Sequence, residues 1–396
     1  MNKLKKYALS SLYDMSSGIS STKEQAGHGS PFVSFSTVFN NYFLPDDLPD
    51  LMDTSAKEQE IYSIKKGDIL ITRTSETIDE LAMSCVATKD YPGATFSGFT
   101  KRLRPKTQGI AYYKYMAFYL RSAWFRKAVT NNAFMTLRAS FNEDIFSFLN
   151  VYLPDYDVQV RIGDFLYSIE QKIDINKRIG VELEDMAKTL YDYWFTQFDF
   201  PNEEGKPYRS SGGVMEWNQQ LKREIPKGWG VTTMASLAPA LTGKEDANFS
   251  TSNGNYKFFT CAQETMRCDT PAFSGHAVLI AGNGDFNVKH FTGSFNAYQR
   301  TYVLMPKEAK HYAVMYIAAQ KRIQAFKQGA NGSIVKFITK GDVENIPIIL
   351  PDNDSLLSTL NQILEKIEHC ERENDELKKL RDWLLPMLMN GQATVE

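Results

Sequence analysis

Two short runs carry side chains suited to the edges of stacked bases. Arg73, Thr74, Ser75 and Glu76 follow the apolar run Ile69-Leu70-Ile71-Thr72, and Asn283, Asp285 and Asn287 follow Val278-Leu279-Ile280-Ala281, with Tyr298, Gln299 and Arg300 shortly after. Arginine can grip guanine through O6 and N7, asparagine or glutamine can pair with adenine, and hydroxyls can donate or accept at either. Asparagine, glycine and serine also fill ordinary turns, so turn chemistry is the competing reading of the same runs.

A second group suits phosphate. No acidic residue stands between Asp90 and Glu143, yet that stretch holds Lys101, Arg102, Arg104, Lys106, Lys114, Arg121, Arg126, Lys127 and Arg138. Between Glu308 and Asp342 the pattern recurs with Lys310, Lys321, Arg322, Lys327, Lys336 and Lys340. Lys101, Arg102, Arg104 and Lys106, with Lys289, Lys327 and Lys336, are the phosphate candidates; such contacts supply affinity without reading sequence. The bland alternative is a solvated face. The net charge is −2, but acidic residues gather in 155–199 and 352–382, so basic and acidic blocks alternate twice.

Motifs for catalysis are missing. There is no Gly-x-x-x-x-Gly-Lys-Ser/Thr loop, and Gly282-Asn283-Gly284 lacks the third glycine of a dinucleotide fingerprint, so it reads as a tight turn. Neither a glycine-rich cofactor loop nor an Asn-Pro-Pro-Tyr-like loop is present, and Leu153-Pro154-Asp155 and Leu350-Pro351-Asp352 are not followed by a nuclease's carboxylate and lysine pattern. Cys85, Cys261, Cys268 and Cys370 are scattered without Cys-x-x-Cys pairs, so reduced structural thiols are expected, with no metal site and no catalytic residue. Phe99, Tyr112, Tyr113, Tyr115 and Trp124 can stack on bases, but beside a helix a core role is expected for them. Residues 8–21 are too polar for a leader, and no run of about 18 apolar residues suggests a membrane span. A cytoplasmic protein is expected.

The elements that must position these residues occur twice. Phe148-Leu-Asn-Val-Tyr-Leu-Pro-Asp155 and Asn345-Ile-Pro-Ile-Ile-Leu-Pro-Asp352 each close a basic block, and each precedes a segment with apolar residues at alternating steps of four and three. That spacing buries one seam of a helix against another helix. The first seam runs Ile162, Leu166, Ile169, Ile173, Asn176, Gly180, Leu183, Ala187, Leu190 and Trp194. The second runs Leu356, Leu360, Ile363, Ile367, Cys370, Asn374, Leu377, Arg381, Leu384 and Leu388, each 194 positions after its counterpart. A helix of about 34 residues is ~50 Å long, more than a compact domain needs for its own core, and a spacer is its natural use. Asn176 and Asn374 either fix the register of the pair or lie near the surface.

The expected fold class is therefore α+β: two pseudo-repeated α+β domains separated by two long antiparallel coiled-coil helices. The expected borders are 1–154 for the first domain, 155–200 for the first spacer helix, 201–225 for a polar linker, 226–352 for the second domain and 353–392 for the second helix. The first domain reads as strands at 32–35 and 68–72 and a helix at 111–130; the second as strands at 256–260 and 277–281 and a helix at 310–328. Polar tips follow each helix at 131–133 and 329–333.

This arrangement, with Ala187-Lys-Thr-Leu-Tyr-Asp-Tyr-Trp-Phe-Thr-Gln-Phe-Asp-Phe-Pro201, Gly205-Lys-Pro-Tyr-Arg-Ser-Ser-Gly-Gly213 and Arg223-Glu-Ile-Pro-Lys-Gly-Trp229, resembles the specificity subunit of type I restriction-modification enzymes. The segments 72–79 with 96–99, and 278–285 with 295–301, are similar to pieces of that family's target-recognition domains. One departure is Arg381, where the first helix has Ala187. The resemblance implies that each domain reads one half of a split, asymmetric site in double-stranded DNA. It implies helices that set the distance and dock two methyltransferase subunits, with restriction and translocase subunits joining that core. S-adenosylmethionine, magnesium and ATP would then belong to partner subunits and no cofactor to this chain. Two alternatives stay open: a coiled-coil adaptor that binds no DNA, and the specificity subunit of a methyltransferase-only complex.

Overall fold

The computed structural model describes residues 4–77, 80–132, 139–328 and 337–395. The chain forms two compact units, Met1–Asp174 with Asp375–Glu396, and Ile175–Asn374. The division falls within the long helices rather than at their ends.

In the first unit, Tyr13–Ser17, Thr100–Pro105, Ile69–Thr72 and Ser84–Val86 form a four-stranded antiparallel sheet in that order. Side chains alternate across a strand. Ile69 and Ile71 enter one core with Tyr115 and Phe118 of the helix Tyr113–Tyr119, while Leu70 enters another with Cys85 and Phe96. A strand buried on both faces explains the unbroken apolar run at 69–71. Burial pushes the Cys85 thiol up to about 12, as fits an inert core residue. The helix expected at 111–130 is two helices, Tyr113–Tyr119 and Ala123–Asn132. Ser122 makes the break, its hydroxyl donating to the Tyr119 carbonyl and accepting from the Phe125 N–H. The strand expected at 32–35 is instead the end of Ala26–Val33, after which Ser34 caps a short helix.

The second unit has a six-stranded sheet whose longest pair is the hairpin Phe273–Ala281 with Val288–Ala297. The helix Tyr312–Gln328 shares a core with Val278 and Ile280. Both units open and close alike. Lys5–Ala8 pairs with Asn150–Leu153 and leads into a four-residue helix at Leu9–Leu12; Gly230–Thr233 pairs with Pro347–Leu350 and leads into one at Met234–Leu237. The segment expected as a polar linker is partly ordered by pairing. Met215–Asn218 and Arg223–Pro226 form a hairpin, and Phe200 stacks on Tyr208 at 4.6 Å and on Trp229 at 4.7 Å.

The long helices are Tyr156–Tyr191, continued by a π turn at Asp192–Thr196, and Ser355–Met389. In the first unit Ile162, Leu166, Ile169 and Ile173 share a core with Leu377, Leu384 and Leu388. In the second, Leu183, Ala187, Leu190 and Trp194 share one with Leu356, Leu360, Ile363 and Ile367. The beginning of one helix meets the end of the other in each case, so the pairing is antiparallel. Asn176 and Asn374 are buried and hydrogen-bonded to each other at 3.1 Å, which gives them the register-setting place rather than a surface one. Arg381 also has a reason to stand in a seam: its guanidinium bonds Glu170 and lies 4.8 Å from the centre of the Tyr42 ring.

Candidate nucleic-acid interface

At one end of each sheet the connecting loops are tied together by the same four backbone hydrogen bonds. In the first unit the Gly18 N–H donates to the Thr100 carbonyl (3.4 Å), Thr100 to Ser97 (2.9 Å), Arg73 to Phe99 (2.8 Å) and Phe141 to Arg73 (2.7 Å). In the second, Gly243 donates to Thr301 (3.3 Å), Thr301 to Tyr298 (2.8 Å), Gly282 to Arg300 (2.9 Å) and Ile338 to Gly282 (2.8 Å). Strand register agrees with this pairing of positions: Thr72 faces Thr100 as Ala281 faces Thr301, and Ser17 faces Lys101 as Thr242 faces Tyr302. Close approach demands glycine at the crossing. A side-chain carbon on Gly18 would lie 2.2 Å from the Ser97 carbonyl oxygen, and one on Gly243 would lie 1.9 Å from that of Ala297.

This geometry brings the base-reading candidates to equivalent places. Arg73 corresponds to Gly282, so Thr74-Ser75-Glu76 corresponds to Asn283-Gly284-Asp285, and Ser97-Gly98-Phe99 corresponds to Tyr298-Gln299-Arg300. Arg73, Glu76, Asp285, Gln299 and Arg300 are exposed, while Thr74, Asn283 and Tyr298 are half-buried. Two candidates are turned inward. Ser75 is buried and its Oγ accepts from the Thr77 N–H; Asn287 is buried and donates to the Cys261 carbonyl at 2.8 Å. They brace their loops. The loop after Tyr256–Phe259, anchored by that same Cys261 carbonyl, puts Gln263 in the open beside the second cluster. The sequence alone does not single out Gln263; the contacts of Asn287 and Lys289 with the Cys261 and Ala262 carbonyls place its loop there.

Three of the phosphate candidates, Lys101, Arg102 and Arg104, need correction. Arg102 is 8% exposed and donates to the carbonyls of Ile61 and Ser63. Arg104 makes two bonds to the Asp68 carboxylate, at 2.8 and 2.6 Å, and Lys101 bonds Ser17 Oγ at 3.0 Å while 9% exposed. These three hold the first unit together instead of facing outward. Lys106 bonds the Ser10 carbonyl and lies 3.4 Å from Asp14. Lys289 is held over the loop at 261–262 by the Ala262 carbonyl at 2.7 Å, and burial lowers its pKa. The Lys327 side chain and Lys336 lie outside the described residues, as do Arg138 and the polar tip at 329–333. Arg121, in the same acid-free block, spends its guanidinium on the carbonyls of Val38, Phe39, Asn41 and Ser84. The block lacks acids because carbonyls far off in sequence receive much of its charge.

Among the described residues no group of three or more His, Cys, Asp or Glu side chains is arranged to hold a metal ion, and no helix is long and apolar enough to cross a membrane. The family model for the type I restriction modification DNA specificity domain matches residues 3–185 and again 226–379, once for each unit's loop cluster. The chain belongs to this family. The EcoDI specificity subunit of Escherichia coli is 35% identical over 180 residues, covering 44% of this chain and 40% of that one. That match thus spans less than half of the relative's length. The MjaIX specificity subunit of Methanocaldococcus jannaschii is 23% identical over 379 residues, covering 88% of this chain and 82% of that one. The crystal structure of a type I restriction-modification S subunit from M. genitalium shares the fold, with a TM-score of 0.59 at 15% identity over 98% of this chain and 96% of that one. Specificity subunits of this family are generally non-catalytic, and the side chains gathered at the two loop clusters of this chain are suited to hydrogen bonding.

Proposed function

We propose that this specificity subunit reads a split DNA site, one part with each loop cluster, and leaves chemistry to its partners. The observation that carries the reading is the recurrence of the four-bond loop tie with different side chains hung on it. One scaffold used twice with Arg73-Thr74-Ser75-Glu76 in one unit and Gly282-Asn283-Gly284-Asp285 in the other suits two unlike half-sites. Loops already fixed by backbone bonds also lose little freedom on binding, which favours affinity. Arg73, Thr74, Glu76, Asn283, Asp285, Tyr298, Gln299 and Arg300 are the proposed base-reading set, with Ser75 and Asn287 as braces.

The long helices serve as the spacer between the half-sites, and methyltransferase subunits, two in number, dock on this chain. Restriction and translocase subunits join them. S-adenosylmethionine, magnesium and ATP are bound by those partners. The test is selection of bound duplexes from a random pool by the complex with its methyltransferase subunit, with the free chain assayed for methyl transfer in parallel. A two-part motif and no methylation by the free chain are expected; no enrichment at all would favour an adaptor that does not touch DNA.

A further inference from the structure

An aromatic ring stands bare at the loop tie of the first unit. Phe99 is 62% exposed, although its neighbours in composition, Tyr115 and Phe118, are fully buried, and no ring among the described residues stacks on it. Its backbone is fixed at both ends. The Phe99 carbonyl accepts from the Arg73 N–H at 2.8 Å, and its own N–H donates to Ser97 Oγ at 3.2 Å. Gly98 beside it bears no side chain to cover the ring and can bear none, because a carbon there would lie 2.8 Å from the Ile19 carbonyl oxygen. The ring is thus presented on a rigid support, next to Arg73 and in the seat that Arg300 fills in the second unit.

We propose that Phe99 is a base-reading residue that recognises thymine through its C5-methyl group. The inference rests on the reading of the loop ties as DNA-facing. Base edges in the major groove offer donors and acceptors at every pair but a single apolar group, the thymine methyl, and a phenylalanine ring has nothing else there to recognise. Insertion of the ring between base pairs would require unstacking a step, and a loop held by hydrogen bonds at the Phe99 N–H and carbonyl has no slack to advance between them. Placing phenylalanine where the other unit has arginine exchanges a donor pair suited to guanine for an apolar contact suited to thymine. The same seat can then read a different base in each unit.

The test uses the full chain with its methyltransferase subunit and a duplex carrying the selected site, with each thymine replaced in turn by deoxyuridine, which lacks only the methyl. One replacement within the part of the site whose preference changes in Arg73→Ala is expected to weaken binding by the unaltered complex about fourfold, the equilibrium effect of one buried methyl. Phe99→Ala should bind the thymine duplex that much more weakly and be indifferent to the replacement, with an unchanged melting temperature because the ring is on the surface. Equal thymine-to-deoxyuridine ratios in Phe99→Ala and the unaltered chain at every position would overturn the proposal while leaving the two-cluster reading in place. Failure of the unaltered complex to prefer the selected duplex over a scrambled one would overturn that reading, and the proposal with it.

Discussion

Asn176 donates from Nδ2 to Oδ1 of Asn374 at 3.1 Å, with both side chains buried between the two long helices, and the same Nδ2 reaches Glu373 Oε2 at 2.7 Å. A polar pair in an apolar seam costs stability but rejects other registers, since a slip by one seam position would part the two amides and set one of them against Leu377 or Ile173. Asn176→Leu is therefore expected to lower stability by about 1–2 kcal/mol, because it removes a donor from a buried amide. Replacing both asparagines by leucine should raise the thermal midpoint above that of the unaltered chain. A single substitution that raises the midpoint would contradict the assignment.

Arg104 is expected to act on folding rather than on DNA. Its partner Asp68 has a side chain only 1% exposed, and removing one member of such a pair leaves a buried charge, at about 3–5 kcal/mol. Arg104→Ala should lower the thermal midpoint of the free chain markedly. The slope of log affinity against log salt, measured on the folded fraction, should stay the same. A flatter slope with undiminished stability would return Arg104 to the phosphate-binding group.

Acid should weaken the second unit through two carboxylates on the long helices. Burial alone would raise the Glu368 pKa, but hydrogen bonds from His290 at 3.0 Å and Tyr312 at 2.6 Å outweigh it and hold the group below the usual range. Glu184 is lowered likewise, against burial, by Gln320 and Tyr316, each at 2.8 Å. A carboxylate lowered by folding contributes stability above its unfolded pKa, and that contribution disappears as pH falls through the folded value. Resistance to denaturant should therefore hold from neutrality to about pH 5 and fall below it. Glu368→Gln should be less stable at neutral pH and less sensitive to acid, and an unchanged pH profile in that variant would refute the attribution.

Much of this architecture was legible in the sequence because helix seams and strand–helix junctions leave local, periodic traces: Ile162 to Trp194 and Leu356 to Leu388 share a rhythm, and Leu153-Pro154 and Leu350-Pro351 mark matching junctions. The fate of the cations was not. Charge counts reveal neither that Arg102 ends under the Ser63 carbonyl nor that Arg121 gathers four carbonyls, three of them about 80 residues earlier. Phe99 was misplaced for the same reason. An aromatic near a helix usually enters the core, and only the tie between Arg73, Ser97 and Ile19 leaves this one outside.

The spacer role predicts a change in distance without a change in reading. Seven residues added to each long helix, after Gly180 and after Cys370, which line the same cavity, preserve the seam rhythm and add ~10 Å, close to three base pairs. Both halves of the selected motif should be retained and the gap between them lengthened. A folded, DNA-binding variant that keeps the original gap would show that the helices do not set it.

The most direct test of the two-cluster account is to map the bases methylated by the complex built on the unaltered chain, on Arg73→Ala and on Arg300→Ala. The unaltered complex should mark a motif in two parts, Arg73→Ala should relax one part only, and Arg300→Ala the other only. An uninterrupted motif, or two substitutions that relax the same part, would contradict the account.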